Sequence, residues 1–169
     1  MIILGIDPAI RTTGYGVIET LDNGRFKVLD CGVIANAPKM PHSECLRRLA
    51  GGIRELLSSF SCDAASIEEP FLGKNAGTAI ILGMARGAIV ATLAEAQIPV
   101  YAYAARRAKK AAVGVGSAGK DQVAFLMASQ LGVAVDRIPL DATDALALAF
   151  CHAQLAVRPE LAGLLTKPI

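Results

Sequence analysis

Residues Ile2–Ile18, IILGIDPAIRTTGYGVI, decide the fold. Ile2, Ile3, Leu4 and Ile6 form a short apolar run of strong β propensity that stops at Asp7-Pro8, because proline donates nothing to a sheet ladder. Thr13–Ile18 resumes a β-like pattern, with Gly14 and Gly16 allowing another backbone to approach closely. The stretch predicts a hairpin that holds Asp7 at the lip of a buried strand. A carboxylate there is costly to desolvate without a counter-charge or water. Asp7 is then either a turn-initiating residue before proline or an acid that faces a metal or a phosphate.

Working outward, Asp22-Asn23-Gly24 is a turn signal, and Phe26–Ile34 reads as a third strand, antiparallel to the second. His42–Phe60 has helical spacing of Leu46, Leu49, Ile53, Leu56 and Leu57. Ala64–Ile67 is a short buried strand that ends in Glu68-Glu69-Pro70, repeating the arrangement at Asp7. Ligands of open α/β sheets gather at such strand ends. Phe71 follows in the loop FLGKNAG beside Lys74, where it either anchors the loop or stacks on an unpaired base. Lys74–Gln97 reads as a long helix without a broad polar face, so it is buried within the chain or against a second subunit. A fifth strand is expected over Ile98–Tyr103.

From Tyr101 to Lys120 the chain carries five basic residues, Arg106, Arg107, Lys109, Lys110 and Lys120, and no acid. The formal net charge of the whole chain is only +2, so this charge run is local. With the Gly114–Ser117 turn and the following helix start it suits a nucleic-acid backbone. Gln122–Leu131 is another helix. Asp141–Ala156, DATDALALAFCHAQLA, is the last one, with Asp141 and Asp144 on one face of its first turn. His152 reads as a surface or capping residue.

At 169 residues, with 53% hydrophobic and 19% charged residues, the composition is that of one compact domain rather than a disordered chain. Residues 1–157 are expected to form it, with 158–169 as a loosely ordered tail. Cys31, Cys45, Cys62 and Cys151 have no metal-ligand spacing and read as free thiols of a reducing cytosol. The N-terminus lacks a basic leader region, and the apolar segment Ala76–Ala94 carries Arg86 and several glycines, against a membrane span. The expectation is a cytoplasmic protein.

If the strands ending at Asp7 and Glu68 lie side by side, Asp7, Glu68, Asp141 and Asp144 can meet. Four unpaired carboxylates repel, and one takes up a proton unless cations intervene. Hard Mg²⁺ or Mn²⁺ suits such oxygen ligands, and two ions about 4 Å apart serve phosphodiester hydrolysis. Acids for metals beside a separate cationic track point to a nuclease.

At this point the chain resembles the RuvC family of Holliday-junction resolvases, within the ribonuclease H-like superfamily. The resemblance rests on IILGIDPAIRTTGYGVI, IEEPFLGKNAGTAIILGMARG, YAARRAKKAAVGVGSAGKDQV and DATDALALA, in family order from Ile2 to about His152. It implies an α/β fold with a mixed five-stranded sheet (three antiparallel strands plus two parallel) flanked by helices. It also implies a homodimer, joined through the helix around residues 74–97, that places paired symmetric nicks in a four-way DNA junction during homologous recombination and repair, together with a branch-migration motor complex. Asp7, Glu68, Asp141 and Asp144 match the family's metal-binding acids, with two Mg²⁺ or Mn²⁺ per site. Glu68 rather than Glu69 is the match, since it directly follows Ile67. Phe71 matches the aromatic that probes bases at the junction centre, and Lys109 and Lys120 match catalytic basic residues near the scissile phosphate. Lys74, Arg106, Arg107 and Lys110 join them as expected DNA contacts. Ala9 stands where glycine is usual, and Glu69 where a neutral residue is common. The competing readings are a junction-binding module without catalysis, an actin-like ATP-binding protein, and a related nuclease acting on RNA.

Overall fold

The computed structural model describes residues 1–22, 24–70, 75–132 and 138–169, apart from the side chains of Lys120, Leu126, Leu131, Pro159 and Ala162. Its described residues contain a five-stranded sheet. The first hairpin is β1 (Ile2–Asp7) and β2 (Thr12–Thr20), and β3 (Phe26–Ala35) extends it antiparallel. Then follow α1 (His42–Ser59), β4 (Ala64–Glu68), α2 (Ala76–Glu95) and β5 (Val100–Tyr103). The chain closes with α3 (Ala105–Val113), α4 (Lys120–Leu131) and α5 (Thr143–Val157). The strand order is β3-β2-β1-β4-β5, with β4 parallel to both β1 and β5. The expected mixed sheet is the one observed.

β1 is central, and its apolar run is buried on both faces. Successive side chains alternate between two cores. Leu4 and Ile6 join Val17, Ile53, Ile67, Ile89 and Leu93 beneath α1 and α2. Ile3 joins Ile18, Tyr103, Met127 and Leu146 beneath α3, α4 and α5. α5 lies directly on the first hairpin because three glycines leave it room. A Cβ on Gly5 would collide with the Ala145 main-chain oxygen, one on Gly14 with that of Asp141, and one on Gly16 with the Leu146 side chain.

Element bounds differ from the sequence reading where local chemistry intervenes. α2 starts at Ala76 because the Asn75 side chain caps it, accepting from the Thr78 N–H at 3.2 Å. Lys74, the expected start, lies outside the described residues, as does Asn23 of the first turn signal. The basic tract, read only as a charge run before a glycine turn, contains α3, which ends at Gly114 in the left-handed region (φ 79°). The last helix splits: Leu140–Ala142 is a 3-10 turn, and α5 begins at Thr143.

One feature differs more deeply. His152 is not at the surface: it is 2% exposed, because α5 is buried around nearly its whole circumference. After α5 a 3-10 segment spans Pro159–Leu164. Leu161 and Leu165 pack on the α5-side core, and the Ile169 N–H donates to Val100 O at 2.9 Å. On the opposite face α2 is long and apolar enough to cross a membrane by length and composition. It leaves Ile80 64% and Met84 40% exposed.

Candidate active site

The site forms at the C-terminal ends of β1 and β4. These strands are parallel neighbours in a register that reaches Ile6 opposite Ile67, so the next residues, Asp7 and Glu68, follow each other into the same gap. Neighbouring strands lie about 4.8 Å apart. Ile6 and Ile67 both face the α1–α2 core, so alternation turns Asp7 and Glu68 to the α5 side. Both are half-buried and line one cleft of about 180 Å³ with Pro8, Glu69 and Pro70.

Gly14 brings the third acid. It is the β2 partner of Asp7, and directly opposed residues share a sheet face. The main chain of Asp141 rests on Gly14, which places the 3-10 turn beside Asp7. One turn on, Asp144 lies over β4: it shares a small cavity with Glu68, Ala108 and Lys109. Lys109 Nζ, from α3, is 3.5 Å from Asp144 Oδ1, and both side chains are about four-fifths buried (21% and 17% exposed). The structure thus brings Asp7 to Glu68, Asp141 to Asp7, and Asp144 and Lys109 to Glu68. Among the described residues no three or more His, Cys, Asp or Glu side chains gather closely enough to enclose an ion.

The turn after Asp7 is held by a residue that the motif reading passed over. Thr13 is fully buried. Its Oγ1 donates to Ala9 O at 2.6 Å and lies 3.2 Å from the Ala9 N–H. This clamp closes the turn around Ala9. Thr13 carried no signal beyond β propensity.

The family model described as "Crossover junction endodeoxyribonuclease RuvC" matches residues 3–152. The chain belongs to the RuvC family. The RuvC of Chloroflexus aurantiacus is 41% identical over 161 residues, covering 95% of this chain and 98% of its own. That of Chlorobaculum parvum is 42% identical over 151 residues, covering 89% and 80%. The structure of T. thermophilus RuvC in complex with Holliday junction substrate superimposes with a TM-score of 0.88 at 33% identity, covering 100% of this chain and 99% of that one. Members of the RuvC family are divalent-metal-dependent nucleases.

The expected DNA contacts fall into three groups. Arg106 and Lys110 are exposed on α3. Arg107 is turned away: its guanidinium lies 5.3 Å from the Tyr103 ring centre and donates to Leu164 O of the C-terminal segment. Phe71 and Lys74 lie outside the described residues, and so does the side chain of Lys120, which opens α4.

Proposed function

We propose that this chain is a structure-specific endodeoxyribonuclease that binds four-way DNA junctions and resolves them by paired symmetric hydrolytic nicks. The observation that carries the reading is the pairing of Asp7 and Glu68 at adjacent strand ends, with the 3-10 turn and α5 laid over them by the glycines of β1 and β2. Those elements bring the four acidic residues to one face of the sheet, at the C-terminal ends of β1 and β4. The donors are all hard oxygens, which fits Mg²⁺ or Mn²⁺. Asp7 and Glu68, with Asp141 and Asp144 completing the set, would hold two such ions. When bound, the ions supply a deprotonated attacking water and charge stabilisation for the leaving oxygen. Lys109, ion-paired with Asp144, is proposed to meet a phosphate oxygen with its ammonium. Lys120 is proposed for the same task from the start of α4. Arg106 and Lys110 would follow the DNA backbone, with Phe71 and Lys74 toward the junction centre. Arg107 could join them only by leaving Tyr103 and Leu164.

The symmetry of the reaction calls for two sites, and α2 is the proposed seam. Its exposed Ile80 and Met84 lie among glycines at 83 and 87 whose Cβ positions are open. A branch-migration motor is the proposed further partner. All four cysteines are free thiols, which fits a reducing cytoplasm.

A synthetic four-way DNA junction, labelled on each strand in turn, tests the reading. Wild type and Asp7→Asn are compared with Mg²⁺, with Mn²⁺ and with chelator, and an RNA duplex serves as control. The expected result is symmetric, metal-dependent nicks near the crossover, lost in Asp7→Asn while junction binding persists. Binding without cleavage in either metal, across varied core sequences, would make the chain a structural junction binder instead.

A further inference from the structure

Helix α2 holds two charged residues, Arg86 and Glu95, in its twenty. Arg86 is half-buried and lines the cleft that Asp7, Pro8, Glu68, Glu69 and Pro70 also line. Its Nε donates to the main-chain oxygen of Glu68 at 3.3 Å. The other end of that same peptide unit is also held: the Glu69 N–H donates to Tyr103 O of β5 at 2.9 Å. The peptide joining two consecutive acids is therefore pinned from both sides, by a side chain of α2 and by the backbone of β5.

The placement matters because side chains alternate along a strand. A one-residue slip of the strand at this peptide exchanges which acid faces the α5 side. Glu68 is half-buried and Glu69 exposed, so one of two chemically equivalent carboxylates has been selected. The last rung between β1 and β4 is Ile6–Ile67, so past it the β1 side offers no ladder bond to the Glu68 carbonyl. Arg86 takes that carbonyl.

We infer that Arg86 is a positioning residue, which fixes the Glu68–Glu69 peptide so that Glu68 and not Glu69 is presented beside Asp7. The inference rests on the nuclease reading of the acids above. It also links α2, the proposed subunit seam, directly to the placement of an active-site acid. Arginine suits the task because the rigid guanidinium offers an Nε–H at a fixed angle, whereas a lysine ammonium is a mobile point charge.

The test uses the full chain with Arg86→Ala and Arg86→Lys, and reads three quantities. Free Mn²⁺ by electron paramagnetic resonance gives metal affinity, single-turnover cleavage at saturating junction gives the chemical step, and junction binding is measured in chelator. For Arg86→Ala the expected outcome is Mn²⁺ affinity about tenfold weaker and cleavage about 10–100-fold slower, the usual scale for a group that orients a ligand. Junction affinity stays near wild type, and Arg86→Lys recovers only part of either loss. Unchanged Mn²⁺ affinity, full recovery by lysine, or a loss explained wholly by weaker junction binding would each overturn the role. If Arg86→Ala does not fold, Arg86→Lys decides on the same readings, because it keeps the charge and the stem; wild-type values in it overturn the inference. Asp7→Asn run alongside separates the two levels. Loss in Asp7→Asn with none in Arg86→Ala overturns only the positioning role, while no loss in either overturns the nuclease reading.

Discussion

His152 is uncharged at neutral pH because the fold surrounds it with apolar atoms. Its Nδ1 shares a 2.7 Å hydrogen bond with the Tyr103 hydroxyl, and the Tyr101 ring centre lies 4.3 Å away. Burial pushes its pKa down to about 4 and raises that of Tyr103 to about 12. The folded pKa of His152 lies below the unfolded one, so the unfolded chain takes the proton first as pH falls. The stability His152 confers as a neutral group is complete above about pH 6.5 and is lost as pH drops toward 4. In that window one such proton gives a slope of up to about 1.4 kcal/mol per pH unit. Urea unfolding at pH 7, 6 and 5 should show this component in wild type and not in His152→Phe. The variant should also be about 1–3 kcal/mol less stable at pH 7, since the Tyr103 hydroxyl loses its buried hydrogen bond to His152 Nδ1. Parallel pH profiles for the two proteins would mean that His152 titrates normally.

At the scale of elements, the decisive contact is α5 on the first hairpin, and its test is glycine chemistry. Gly14→Ala drives a methyl group into the Asp141 main chain. Overpacking of this kind costs about 1–3 kcal/mol and should lift the 3-10 turn away from Asp7, so cleavage should fall with stability. Gly51→Ala is the control: this α1 glycine has nothing within 4 Å of its Cβ position, and the change should stabilise by about 0.4–1 kcal/mol with activity intact. A fall in the urea midpoint of Gly51→Ala, or an unchanged Gly14→Ala, would remove packing as the cause. Much of this layer could be read in the sequence. Asp7-Pro8 and Glu68-Glu69-Pro70 marked the strand ends, and Gly14 and Gly16 announced a close neighbour without naming it. What could not be read was long-range. Nothing near Arg86 in sequence tells that its Nε reaches Glu68, 18 residues earlier. The burial of His152 depends on α5 being covered from several sides, which no single period records. The five basic residues obscured α3, because their charge outweighed its short apolar stripe of Ala108 and Ala112.

For the whole molecule, α2 presents an open apolar surface. A lone chain leaves Ile80 and Met84 in water while Ala85, Ile89 and Leu93 of the same helix are buried. Full burial of one isoleucine side chain contributes about 1.5–3 kcal/mol, so a two-fold contact that buries Ile80 twice is worth seeking in solution. An isologous seam repeats each contact, and one charge placed on it is therefore met by its own copy. On the proposed α2 seam, wild type should sediment as a dimer and Ile80→Asp as a monomer at micromolar concentration, with matching circular-dichroism spectra. The functional consequence is specific. Each monomer keeps Asp7, Glu68, Asp141 and Asp144, all on one chain, so single nicks should persist while paired nicking of one junction is lost. A cruciform plasmid reads the difference directly, since paired nicks linearise it and single nicks only relax it. Dimeric Ile80→Asp with full linearisation would place the seam elsewhere. Complete loss of nicking in a folded monomer would mean that each active site needs its partner, and would join the α2 seam to Arg86 as one connected device.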